Sequence, residues 1–132
     1  MNVNEGTRAA VVEEQWLDRR RAWADTLERL GPGVARLGTL AVLEAAHEDP
    51  VLRQLYPYTN HGHVHFSSTT RFPYEVAVPV VIPLPDGRFR VVRRDPTAEV
   101  GEAASAREAV ALVAAHVPPR LRLAATGLPM EA

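Results

Sequence analysis

Residues 63–94 read HVHFSSTTRFPYEVAVPVVIPLPDGRFRVVRR, and the fold class turns on this stretch. Val64, Phe66 and Ser68 alternate with His63, His65, Ser67 and Thr69, the two-residue period of a strand. Tyr74, Val76, Val78, Val80 and Ile82 alternate again, with Pro79 marking an edge or bulged strand. Pro85-Asp86-Gly87 is a turn, because proline presets its own dihedral and glycine accepts positive φ. Residues 88–94 answer as the return strand of a hairpin. A short fourth strand is expected over 98–102, so the middle of the chain is an antiparallel sheet of three to four strands.

Outward from the sheet the period becomes helical. Val12, Trp16, Trp23, Leu27 and Leu30 fall on one face of a helix expected over 8–30, which Gly31-Pro32-Gly33 ends. A second helix covers 34–48, with Leu37, Leu40 or Ala41, and Leu43 or Glu44 turned inward. Asp49 caps a short helical turn anchored by Val51, Leu52 and Leu55, and Tyr56-Pro57 stops it. On the far side, Ser105 and Glu108 form a capping box for a last helix from 106. Its inward face is Ala109, Val110, Leu112, Val113 and His116, and Pro118-Pro119 ends it. The order predicts an α+β fold: two N-terminal helices, the antiparallel sheet, and a C-terminal helix packed on it. One domain is expected over 1–132, with 1–6 and 120–132 as partly ordered tails.

Composition removes whole classes of chemistry. All 15 basic side chains are arginine, and there is neither lysine nor cysteine. Schiff-base and thiol nucleophiles are therefore excluded, as are disulfides, iron–sulfur clusters and cysteine-ligated zinc. The arginine-only set is also what a GC-rich genome writes. A net charge of −1 argues against a nucleic-acid binder, whose affinity rests on neutralising phosphates. No apolar run is long enough to span a membrane. The start carries no basic region followed by an apolar core, so a cytoplasmic location is expected.

The densest polar segment is 58–71. His63 and His65, two apart on a strand, share a face and could offer two imidazoles to a metal, with Glu75 or Glu99 as a third ligand. Two histidines on a strand face equally suit plain polar surface. His61 precedes the strand, where a loop presents it to a pocket, and is the best single general acid/base. Tyr58 and Tyr74 offer phenolic donors. Ser67, Ser68, Thr69 and Thr70 beside Arg71 suit a carboxylate or phosphate clamp. No nucleophile-elbow pattern surrounds the serines, and no glycine-rich phosphate loop is present. Arg88, Arg90 and Arg94 share a face of the return strand; with His63, His65 and Glu75 they would form a mixed surface for an anionic small molecule or acidic peptide.

Two segments also carry a resemblance. Residues 51–61, VLRQLYPYTNH, and 65–71, HFSSTTR, resemble an actinobacterial family of unknown function whose members are labelled natural-product biosynthesis proteins. The later segments 87–91 and 101–112 follow the same pattern, so the likeness spans about 35–118. It singles out Arg53, Tyr56, His61, Ser67, Thr69, Thr70 and Arg71. Asn60 and Ser68 depart from it, and His63 and His65 occupy positions it leaves unspecified. The resemblance implies a role in a secondary-metabolite pathway.

Together these readings predict a small tailoring enzyme that uses no cofactor and no metal. It would perform cyclisation, isomerisation or dehydration on a small-molecule or peptide intermediate held between the sheet and the first helix. His61 is the expected acid/base, Arg71 the clamp for a carboxylate or oxyanion and Tyr58 a supporting donor, with Ser67, Thr69, Thr70, Arg53 and Tyr56 binding substrate. The alternatives are a non-catalytic partner of a carrier, precursor peptide or pathway enzyme, and an immunity protein. A homodimer is compatible with either role.

Overall fold

A computed structural model describes the backbone of residues 3–94 and 96–122. Helix α1 (Val3–Leu30) and helix α2 (Val34–Glu48) lead into a 3-10 turn, Leu52–Gln54. Five strands follow: β1 (Tyr56–Asn60), β2 (His63–Ser67), β3 (Val80–Pro83), β4 (Phe89–Arg94) and β5 (Thr97–Ala103). Helix α3 (Ala106–Ala115) and a single turn, α4 (Pro119–Arg122), complete the described chain. The strands form one antiparallel meander in the order β1-β2-β3-β4-β5. The α+β class is as expected, with one strand more than the upper expectation.

The additional strand is β1. Tyr56-Pro57 does end the 3-10 turn, but the chain continues extended and pairs with β2 through a two-residue turn, His61-Gly62. Proline is tolerated there because β1 is an edge strand. Both turn residues have positive φ, 55° at His61 and 80° at Gly62, the condition that matches a two-residue hairpin to strand twist. A histidine in this left-handed region is strained relative to asparagine or glycine. His61→Asn is therefore expected to raise stability by a few tenths of a kcal/mol, read as a higher urea midpoint.

The expected strand over 74–82 shortens to β3 alone. Residues 68–79 form a long loop, because side chains rather than a neighbouring strand satisfy its backbone. The Glu75 N–H donates to Ser67 Oγ (3.1 Å) and Thr69 Oγ1 (3.2 Å). Local capping signals hold as read. Asp49 Oδ1 accepts from the N–H groups of Val51 and Leu52, both at 2.9 Å. Ser105 Oγ accepts from the Glu108 N–H at 3.1 Å.

The three long helices share one face of the sheet. Trp16 and Val12 of α1, Val42, Leu43 and Ala46 of α2, and Ala109, Val110 and Val113 of α3 meet Val64, Phe66, Val81, Phe89 and Val91 in one core. Several expected positions differ. Leu30 and Leu37 are exposed, and α2 instead buries Thr39 and His47. His116 lies outside the core as the C-cap of α3, whereas Val117 and, beyond the expected end, Leu121 are buried. Helix α1 begins earlier than expected, and residues 1–2 and 123–132, most of the expected tails, lie outside the described residues. No described helix is long and apolar enough to cross a membrane.

Gly38 brings α2 onto the sheet. A Cβ there would lie 3.0 Å from Pro83 Cβ and 3.2 Å from the Phe89 ring. Gly38→Ala is expected to cost about 1–3 kcal/mol despite the better helix propensity of alanine, measured by urea unfolding.

Candidate functional site

The sheet face turned away from the helices holds the polar chemistry. Tyr58 stands directly opposite His65 in the β1–β2 register, and Val64 opposite Val81. His65 is therefore level with Val80, which pairs in turn with Val92. The row His65–Val80–Val92 crosses β2, β3 and β4, and the long Arg94 side chain reaches diagonally back along it.

Aromatic rings build one end of this face. Tyr58 stacks on His65 with centroids 4.6 Å apart and planes 14° from parallel. Tyr74, carried by the 68–79 loop, stacks on Tyr58 at 4.4 Å and on Tyr56 at 5.7 Å. Ser67 and Thr69 hold that loop in place. The Ser67 hydroxyl donates to the Thr69 carbonyl (2.8 Å), and Ser68 donates to Glu75 Oε2 (2.7 Å). Arg120 of α4 also donates to Glu75 (3.1 Å).

Arg94 determines the state of His65. Its Nη1 lies 3.1 Å from His65 Nδ1, and a guanidinium only donates, so Nδ1 accepts. A neutral imidazole that accepts at Nδ1 carries its proton on Nε2. That Nε2 is buried and has no hydrogen-bond partner. Burial, then the Arg94 charge, then His63 push the His65 pKa down to about 4, so the ring is neutral at physiological pH. Helix α2 supplies the comparison: His47 Nδ1 accepts from Arg20 (3.0 Å), but its Nε2 meets Glu13 at 2.8 Å. His65 repeats the arrangement without the carboxylate.

His63, Tyr58 and Tyr56 titrate away from their usual values for related reasons. Burial, then His61, lowers the His63 pKa. Burial raises both phenols; the Arg94 charge partly offsets this at Tyr58, while the neighbouring Tyr74 adds to it at Tyr56. A concavity of about 250 Å³ lies beside these groups, with Val80, Ile82 and Val92 as its apolar part and Asn60, His63, His65, Arg93, Arg94 and Thr97 as its polar part.

The structure brings only some of the sequence-derived candidates together. Tyr56 and Tyr58 belong to the aromatic stack, and Ser67 and Thr69 are engaged within the chain as above. His61 is exposed at the hairpin turn, where it lines a second concavity of about 220 Å³ with Trp23, Arg36 and His63. Arg71 is exposed on the 68–79 loop, beyond the opposite end of β2. The length of five-residue β2, about 13 Å at 3.3 Å per residue, separates those ends, so His61 and Arg71 do not converge. Arg53 lies near Glu13 (3.5 Å), and Thr70 is half-buried on the loop. The expected substrate space between α1 and the sheet is filled by Trp16, which lies 6.2 Å from Phe66.

Glu75 and Glu99, considered as metal ligands, pair with Arg120 and Arg90 respectively. No group of three His, Asp or Glu side chains suited to a metal occurs among the described residues. Sequence reasoning placed Arg94 on a mixed face with His63 and His65. It missed the Arg94–His65 contact, which depends on the order and register of β2, β3 and β4.

Comparison with curated proteins and with solved structures finds no match. A family of unknown function, DUF6193, matches residues 10–128, nearly the whole chain, including every residue of the Tyr58–His65–Arg94 cluster. The chain belongs to that family.

Proposed function

We propose that this protein acts in natural-product biosynthesis, performing cofactor-independent proton transfer on an intermediate bound at the helix-free sheet face. The pathway assignment is supported by the motif resemblance at 51–61 and 65–71. The chemistry is supported by one observation above all: the buried, unpartnered Nε2–H of His65.

A neutral imidazole N–H is a hydrogen-bond donor suited to a carbonyl oxygen that gains charge during reaction. Arg94 behind it supplies fixed positive charge at no reorganisation cost. His63, on the same strand face two residues away, is held neutral and is the base. It takes a proton from carbon next to the carbonyl, the electron pair moves onto oxygen, and the proton returns at the new position. That sequence performs isomerisation, and with a leaving group or internal nucleophile it performs dehydration or cyclisation.

Reconstitution of the pathway tests the reading. His65→Gln and His63→Gln are each expected to lower product formation about 10²-fold or more with unchanged circular dichroism. Full turnover by both variants overturns it. Loss in His61→Ala with retention in His65→Gln would move the centre to the hairpin-turn concavity.

A docking role is favoured by one further observation. Phe72 is 84% exposed beside Arg71, an apolar tip on the loop that also carries Tyr74. If Phe72→Ser alone stops product formation and abolishes capture of a pathway protein, the chain acts as a partner.

A further inference from the structure

Of the four arginines over 88–94, two pair with carboxylates, and the two exposed ones at the end of β4 do not, among the described residues. Arg88 pairs with Glu102, and Arg90 with Glu99 at 3.3 Å. Arg93 turns its Nε to the Pro96 carbonyl at the rim, 3.4 Å away. Arg93 and Arg94 both line the concavity, and Arg94 donates there to a neutral acceptor, His65 Nδ1. No carboxylate pairs with it among the described residues.

Next to this guanidinium lie the unpartnered Nε2 of His65, a side chain only 5% exposed, and the apolar strip of Val80, Ile82 and Val92. A guanidinium that pairs with no carboxylate among the described residues, an orphan N–H and an apolar strip are complementary to one kind of molecule. The anionic head answers Arg94, a carbonyl oxygen answers the Nε2–H, and an apolar body covers the valines and isoleucine. An inorganic anion would satisfy the head group and leave the strip uncovered. The volume of about 250 Å³ lies below the ~300–1,000 Å³ usual for drug-sized ligands, which limits the body to one ring or a short chain.

We infer that the ligand of this face is a small organic carboxylate, its carboxylate on Arg94, a carbonyl oxygen on the Nε2–H of His65 and its apolar body on Val80, Ile82 and Val92. The inference rests on the helix-free face being the functional site, and it names the substrate class of that site.

The test is titration of the full chain by two-dimensional ¹H–¹⁵N NMR with three probes: benzoate, benzamide and inorganic phosphate. Benzoate is expected to shift the resonances of Asn60, His65, Val80 and Arg94, and to bind at least about tenfold more tightly than the isosteric neutral benzamide. Arg94→Gln should remove that preference while Arg94→Lys, which keeps the charge, retains part of it. Equal affinity for benzoate and benzamide overturns the inference, as does preference for phosphate or absence of shifts at these residues. The two proposals fail separately. Benzoate binding at Arg94 with full turnover in His63→Gln and His65→Gln would leave the carboxylate site and remove the proton-transfer reading. Product loss in those variants with no benzoate preference would do the reverse.

Discussion

Trp16→Ala is expected to cost about 4 kcal/mol of folding free energy, a large part of the 5–15 kcal/mol that holds a domain together. Three separate losses add up in this one substitution. The side chain is fully buried, so its removal gives up transfer free energy and leaves a cavity between α1 and the sheet. Its indole N–H is shared between the carbonyls of Arg53 (3.2 Å) and Leu55 (3.1 Å), which both lose a donor. Its ring stacks on His47 at 5.2 Å with planes only 6° apart, and without it the His47–Glu13 pair loses its wall. Trp16→Phe keeps a ring and removes only the N–H, so about 1–2 kcal/mol is expected. Urea unfolding followed by circular dichroism measures both. A cost below about 1 kcal/mol for the alanine variant would show that α1 does not dock through Trp16.

Acid is expected to destabilise the fold through His65 by an amount on the order of 3 kcal/mol between pH 6.5 and about 4. The direction follows from proton counting. In the unfolded chain the ring titrates near 6.5; in the fold it stays neutral down to about 4. Above pH 6.5 both states are neutral and the group contributes no pH dependence. Between the two values the unfolded state binds the extra proton, so stability falls as pH falls. Below about 4 both are charged and the loss is complete. The groups facing His65 set this window: Arg94 and His63 oppose its charge, and Tyr58 covers it. Glu13, whose pKa is lowered first by its hydrogen bond to His47, contributes stability that is present above the usual carboxylate value of 4.5 and is lost below it. The two effects therefore separate on the pH axis. His65→Gln should flatten the stability profile between pH 4 and 6.5 and leave the steeper fall below it. An unchanged slope in that variant would mean that His65 is not held neutral by the fold.

The features legible in the sequence are those decided within a few residues. Ser105 and Glu108, Asp49 before Pro50, and Pro85-Asp86-Gly87 each satisfy a local backbone need, and each does in the fold what its spacing implies. Strand β1 was hidden because Tyr-Pro reads as a stop, while its pairing depends on a histidine adopting positive φ at position 61. Residues 74–79 alternate like a strand, but the Glu75 N–H is captured by the hydroxyls of Ser67 and Thr69. The same capture explains why a hydroxyl-rich motif next to arginine looks like a ligand clamp. Its hydroxyls secure the loop that lays Tyr74 on Tyr58.

The centre of the face was less legible for a different reason. His65 and Arg94 are 29 residues apart, and their meeting requires both the β2-β3-β4 order and the register Val80↔Val92. Alternation alone places each residue on a face; it does not say which arginine reaches which imidazole. Arginine as the chain's only strong cation gained a specific meaning here, because a guanidinium can only donate and so determines the imidazole tautomer.

The chemistry proposed for the helix-free face turns on His65 being neutral, accepting from Arg94 at Nδ1 and presenting an unpartnered Nε2–H. Long-range ¹H–¹⁵N NMR of the imidazole nitrogens across a pH titration measures this directly. The expected result is a protonated Nε2 and an unprotonated Nδ1 at pH 7, with a midpoint near 4. A ring that is charged at pH 7, or that carries its proton on Nδ1, would contradict it.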